Sequence, residues 1–76
     1  MKSKELLCLI ETWAYNYTIC ERKDANHYFS YGYLACLRKI ATDRNLDYFE
    51  AEERGQKRGD EWLKQEKAKK SFLVFD

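Results

Sequence analysis

The stretch that decides the fold is residues 6–20, LLCLIETWAYNYTIC, because a helix of this sequence is apolar on two faces. At 100° per residue, one stripe of side chains falls on a single face. It consists of Leu6, Ile10, Trp13, Tyr17 and Cys20. A second stripe lies nearly opposite and consists of Cys8, Thr12, Tyr15 and Ile19. Two apolar stripes need two covers, so we expect this helix to meet a partner as well as the rest of its own domain.

Length and composition indicate one small helical domain. The 76 residues include 45% hydrophobic and 16% aromatic residues, no proline and three glycines, which suits helices better than a turn-rich β-fold. The net charge of +1 argues against a strongly basic nucleic-acid binder. Three cysteines without a framework spacing suggest reduced thiols and a cytoplasmic location. No signal peptide or membrane span is visible, so no membrane partner is expected.

The hydrophobic pattern predicts an all-α, three-helix bundle in one domain, with helices at about 3–21, 26–44 and 47–70, antiparallel or nearly so. Asp24 or Asn26 can cap the second helix, Asn45 reads as a left-handed C-cap, and Asp47 begins the third helix. The predicted core stripe of the second helix consists of Phe29, Tyr33, Cys36, Leu37 and Ile40.

The third helix has a narrow buried edge. Its Ala51, Gly55 and Gly59 stand four residues apart, forming a smooth strip over which another helix can approach closely, within the domain or between copies. Pairs of acid and base four residues apart, such as Glu50 and Arg54, support a continuous helix. The main alternative is a break at Gly59.

The chain ends on an apolar segment at residues 71–76, SFLVFD, after a lysine run. We expect this tail to fold back over the second stripe of the first helix, to pair with another chain, or to occupy a groove of a partner. With the glycine strip, it favours a homodimer. The residues predicted for self-association or tail docking are Cys8, Tyr15, Ile19, Gly55, Gly59, Phe72 and Phe75.

The face of the second helix opposite its predicted core is the candidate partner surface. It carries two tyrosines beside two basic residues: Tyr28, Tyr31, Arg38 and Lys39. Tyrosine and arginine often carry interface energy, and the same pattern can stack bases and hold phosphates. The competing interpretation is that these tyrosines are half-buried at the rim of the core.

Catalytic, metal and cofactor sites are not predicted. Cys8, Cys20, Cys36 and His27 have the residue types of a zinc site, but none has the spacing of paired zinc ligands. A Cys20–His27 pair has no orienting third group, and the carboxylates read as exposed ion-pair partners rather than an acid–base pair.

The pattern therefore predicts a non-enzymatic protein–protein interaction module. Such a regulator or stoichiometric inhibitor, including the type made by phages and mobile elements, would act by occupying a surface of a larger protein. The alternative is a small nucleic-acid-binding regulator that uses this partner surface, alone or together with Arg54 and Arg58. In a helix-turn-helix arrangement the third helix would face the phosphates with Glu50, Glu52 and Glu53, which is unfavourable.

Overall fold

A computed structural model describes residues 2–20 and 24–74, with side chains described as far as residue 68. It contains three α-helices and, within these ranges, no strand. They are α1 at Ser3–Ile19, α2 at Ala25–Asp43 and α3 at Phe49–Val74. The predicted all-α, three-helix fold is confirmed. The predicted end of the first helix, residue 21, lies outside the described residues, and α1 itself ends at Ile19.

The predicted boundary signals act at both helix connections. The Asp24 side chain accepts a 3.0 Å hydrogen bond from the Asn26 amide and caps α2. Asn45 has a φ of 57°, the left-handed conformation that ends a helix. The Asp47 carboxylate accepts a 3.0 Å hydrogen bond from the Phe49 amide, so the first turn of α3 is held by a side chain. Local sequence therefore sets where α2 and α3 begin.

Helix α1 is the central element, because both other helices pack against it. Gly55 of α3 lies beside Glu11 and Ala14, and Gly59 lies beside Thr18. Because residue numbers increase in the same direction along both helices, α1 and α3 run parallel. Helix α2 runs the opposite way along α1. Trp13 contacts Tyr33, and Tyr17, one turn later in α1, contacts His27 near the start of α2.

The core is small. Its buried apolar residues are Leu6, Ile10, Ala14, Leu34, Leu37, Ala41 and Ala51. Partly buried side chains, including Trp13 and Tyr48, pack around this cluster. The one buried polar residue among those described is Ser30, whose hydroxyl accepts a 2.9 Å hydrogen bond from Asn16 Nδ2. Because a buried hydroxyl needs a partner, this bond favours one register between α1 and α2.

The predicted core stripe of α2 is wrong in all but one position. Leu37 is buried, but Phe29, Tyr33, Cys36 and Ile40 are exposed. The stripe that faces α1 consists instead of Ser30, Leu34, Leu37 and Ala41. The buried stripe begins at Ser30, and the exposed residues begin at Phe29. In each set, successive residues are four, three and four positions apart. The structure buries the one with smaller side chains, because Ser30 and Ala41 let the two helices approach closely.

Helix α3 is continuous through Gly59, so the alternative of a break there is wrong. It also continues to Val74, and residues 71–74 extend the helix instead of folding back over α1. The side chain of Phe72, and Phe75 as a whole, lie outside what the structure describes. The molecule measures 53 × 23 × 16 Å, since a 26-residue α3 is longer than the 17-residue α1 beside it.

Candidate functional site

Helices α1 and α3 pack closely against each other at the predicted glycine strip. A Cβ atom built on Gly55 would lie 2.2 Å from the backbone oxygen of Glu11, and one on Gly59 would lie 2.7 Å from the Thr18 side chain. Both glycines are buried. Of the two roles predicted for the strip, within the domain or between copies, the structure shows the first, because α1 occupies it.

The second apolar stripe of α1 is covered in part by α3. Tyr15 is half-buried, and the Arg58 guanidinium lies 5.4 Å from its ring centre in a cation–π arrangement. Ile19 is half-buried, whereas Cys8 is exposed. Of the three residues predicted for self-association on this helix, Tyr15 thus has a partner within the chain, and Cys8 lies on the surface.

The predicted core stripe of α2 instead forms an open apolar groove between α1 and α2. The groove has a volume of about 640 Å³. Its lining consists of Leu9, Tyr28, Phe29, Gly32, Tyr33, Cys36, Leu37 and Ile40, none of them charged. Phe29 is 58% exposed and Tyr33 is 45% exposed. Such a continuous uncharged surface is typical of an interaction site.

The aromatic rings at one end of the groove are already ordered against α1. Trp13 stacks on Tyr33 with ring centres 4.5 Å apart, and lies 5.8 Å from Phe29. Phe29 and Tyr33 are themselves 5.6 Å apart. Because these side chains are held in place by one another, the groove can bind a partner without a large loss of side-chain entropy.

A second surface, which we call the tyrosine flank, lies where α2 approaches α3. It consists of Tyr31, Arg38, Tyr48 and Glu52. The Arg38 Nε donates a hydrogen bond to the Glu52 carboxylate and forms an ion pair with it. This bond raises the pKa of the Arg38 guanidinium, burial opposes the rise, and the charge of Glu52 and the two tyrosines contribute to it. The arginine is therefore a charged group that Glu52 holds in place.

The structure divides the four predicted partner residues between these two surfaces. Tyr28 is 68% exposed and lines the groove. Tyr31 is 56% exposed, and its ring centre lies 6.0 Å from that of Tyr17. Arg38 belongs with Tyr31 on the tyrosine flank, while Lys39 is exposed. The predicted residues thus reach solvent, but they do not form one continuous patch.

The arginines proposed for contact with phosphates are all paired with carboxylates. Arg38 pairs with Glu52, as described above. Arg54 Nε lies 3.1 Å from Glu11 Oε1, and Arg58 Nη1 lies 4.0 Å from Glu11 Oε2. The predicted i, i+4 pair of Arg54 with Glu50 is present at 3.9 Å. These carboxylates offset the positive charge that a nucleic acid would need.

Two further findings concern metal binding and membranes. Across residues 2–20 and 24–74, no three His, Cys, Asp or Glu side chains come close enough to hold a metal ion together. The cysteines at positions 8, 20 and 36 are free thiols. In the same ranges, no helix combines the length and apolar character that crossing a bilayer requires.

No protein-family profile, curated protein sequence or solved structure matches this chain.

Four residues that line the groove, Phe29, Tyr33, Cys36 and Ile40, were predicted to lie in the core but are exposed. The sequence pattern indicated that they form an apolar stripe, but not that this stripe faces solvent. The sequence did contain a sign of this arrangement. A second stripe, displaced by one residue from the first, consists of Ser30, Leu34, Leu37 and Ala41. An α2 with two adjacent apolar stripes needs two neighbours, as α1 does.

Proposed function

We propose that this protein is a non-enzymatic interaction module that acts by occupying a surface of a larger protein, as a regulator or stoichiometric inhibitor. The observation that carries the proposal is the tyrosine flank. There, an exposed tyrosine and an arginine lie on one side of α2, and the arginine forms an ion pair with Glu52 of α3.

The composition of the flank suits binding to a different protein. Interfaces between separately folded proteins are about as polar as the rest of the surface, and tyrosine and arginine are enriched in them. Tyr31 supplies a large aromatic surface with few rotatable bonds, and Arg38 supplies fixed donors for a carboxylate or carbonyl of the target. Glu52 holds the guanidinium in place, so less entropy is lost when the target binds.

The alternative, a nucleic-acid-binding regulator, is less favoured because the arginines concerned are paired. Arg38, Arg54 and Arg58 each lie within ion-pair distance of a glutamate. These carboxylates offset the net positive charge that binding to a nucleic-acid backbone requires. Under this proposal, the purified protein binds random duplex and single-stranded DNA weakly. A steep decrease of affinity with salt would favour the alternative instead.

The proposal is tested by isolating the tagged protein from its native cells and quantifying what accompanies it. We expect one larger protein at a constant ratio. Tyr31→Ala should reduce its recovery strongly, because truncating a central tyrosine typically weakens binding by about 30-fold, or about 2 kcal/mol. Tyr28→Ala is the matched control, since it removes another exposed tyrosine from the same helix but from the groove edge.

Arg38 needs a control for the loss of its ion pair. Arg38→Glu places two glutamates together, whereas Arg38→Glu combined with Glu52→Arg restores an ion pair of reversed orientation. We expect the double variant to melt close to the wild-type temperature and still to lose the target, because the position of the charge is reversed. Retention of the target by both Tyr31→Ala and the double variant would contradict a role for the flank.

A further inference from the structure

The exposed stripe of α2 has the spacing of a coiled-coil seam. Phe29, Tyr33, Cys36 and Ile40 are separated by four, three and four residues, the alternation of d and a positions in a heptad repeat. We call these four residues the seam. All four are exposed and all four line the groove. The neighbouring stripe of α2 faces α1, and the seam lies beside that contact: Phe29 and Tyr33 lie against Trp13 on one side and reach solvent on the other.

We propose that the seam pairs two copies of this chain as an antiparallel homodimer, with the α2 helices against each other. The two-fold axis would pass between positions 34 and 35. Each position n in one copy then lies opposite position 69 − n in the other. A C2 arrangement of this kind uses the same surface twice and closes without further copies.

The side chains of the seam are complementary in size under this pairing. Tyr33 of one copy lies opposite Cys36 of the other, and Phe29 lies opposite Ile40. The contact nearest the axis therefore joins a large side chain to a small one, and the next contact joins an aromatic ring to an aliphatic chain, which fills space evenly. A parallel pairing would place Tyr33 against Tyr33 and Cys36 against Cys36, which crowds one layer and leaves a void in the next. The size pattern thus selects the antiparallel orientation.

The chemistry of the groove favours a second copy over an unrelated protein. Its lining contains no charged residue, so two copies can meet there without burying like charges. Interfaces of permanent homodimers resemble a core cut in half, whereas interfaces with separately folded partners are mixed in polarity. The uncharged groove resembles the interface of a permanent homodimer, and the tyrosine flank, which contains an ion pair, resembles an interface with a separately folded partner.

The size of the core points the same way. Among the described residues, four large aliphatic side chains are buried: Leu6, Ile10, Leu34 and Leu37. Three of the seam residues are large and more than a third exposed. A single chain of this length has a small core, and a second copy is always available to enlarge it. The dimer proposal depends on the groove, whereas the proposed function depends on the tyrosine flank. Either can therefore be disproved without affecting the other.

Sedimentation of the purified full-length chain across the micromolar range is the first test. We expect a species of twice the 9.2 kDa chain mass. Ile40→Glu should convert it to a monomer, because the dimer would bury a charge in the seam. Leu63→Glu is the matched control: Leu63 is also an aliphatic helical residue that is 39% exposed, but it lies on α3. A wild-type monomer throughout the range, or a dimer that only Leu63→Glu dissociates, would overturn the proposal.

Thiol cross-linking locates the interface even if the Ile40→Glu variant loses its helical spectrum. In the antiparallel dimer the two Cys36 residues lie on either side of the two-fold axis, about 4.5 Å apart along the direction of the helices. With helix axes about 8–10 Å apart, they are too distant for a direct disulfide but within reach of a short bismaleimide. A chain that retains only Cys36 should give a covalent dimer. A chain that retains only Cys8, which is equally exposed, should not, and the reverse result would place the interface on α1.

The orientation is tested by Asp43→Cys in a chain without other cysteines. Asp43 is exposed at the end of α2, on the side of the seam. Antiparallel pairing separates the two positions by about 26 Å along the helix, so no cross-link should form. An efficient cross-link at this position would overturn the antiparallel pairing.

Discussion

The two sides of α1 are packed by opposite means. On the α3 side, two glycines bring backbone against backbone, and Gly55 has no room for even one methyl group. On the α2 side, aromatic rings stack in layers and leave an apolar groove open to solvent. Small residues therefore complete one contact inside the chain, while large residues exceed what α1 can cover. The difference leaves the apolar surface that α1 does not cover on α2.

The largest effect is expected from Leu37→Asp. Leu37 is fully within the core, at the edge between the closed and open sides of α2. An unpaired carboxylate there should destabilise the fold by about 4 kcal/mol or more, which is enough to unfold a domain of this size. Far-UV circular dichroism should show loss of helix at room temperature.

The contrast with Ile40→Asp sharpens this test. Ile40 lies three residues further along α2 and faces the groove, so its carboxylate would reach water in a single chain. We expect the helical spectrum to persist. If both variants unfold, or if Leu37→Asp keeps wild-type stability, the assignment of a closed and an open side to α2 is incorrect.

A smaller loss is expected from Gly55→Ala. The new Cβ would lie 2.2 Å from the Glu11 carbonyl oxygen, which is backbone and cannot rotate away. We expect a loss of about 2–3 kcal/mol, measured by urea unfolding, because α1 and α3 must move apart. Gly59→Ala should cost less, since its closest contact is the Thr18 side chain. A stabilising effect of Gly55→Ala would mean that the close crossing is not present in solution.

The smallest effect, and one of opposite sign, is expected from Gly32→Ala. No atom lies within 4 Å of a Cβ built on Gly32, which is inside α2 and faces the groove. Alanine should stabilise the helix by about 0.5–1 kcal/mol, because glycine has the greater backbone entropy to lose. The measurement is best made in an Ile40→Glu background, where seam pairing is removed. Destabilisation in that background would show that the space above Gly32 is filled within one chain.

The sequence predicted the helices more accurately than their faces. Asp24, Asn45 and Asp47 act where they were expected, because capping depends on neighbours within one turn. The close crossing at Gly55 and Gly59 was also foreseen, although its partner was left open. The buried face of α2 was not predicted correctly, because α2 has two apolar stripes of equal spacing that lie one residue apart. Periodicity cannot choose between them.

For the predicted partner residues, the sequence indicated their exposure but not their arrangement. Tyr28 and Tyr31 are exposed as expected. Their separation onto different surfaces follows from the rotation of α2 and from the approach of α3, which brings Glu52 to Arg38. The two residues of that ion pair are 14 positions apart, so no local pattern indicates it.

The sequence by itself determined that this chain is helical, where α2 and α3 begin, and that glycines mark a tight crossing. These properties depend on backbone propensity, capping and the absence of a Cβ, all of which act over a few residues. The tertiary structure alone decided which stripe of α2 is buried. Ser30 finds a hydrogen-bond partner in Asn16, and Ala41 permits close approach to α1. The aromatic stripe is too bulky for that contact and therefore remains on the outside.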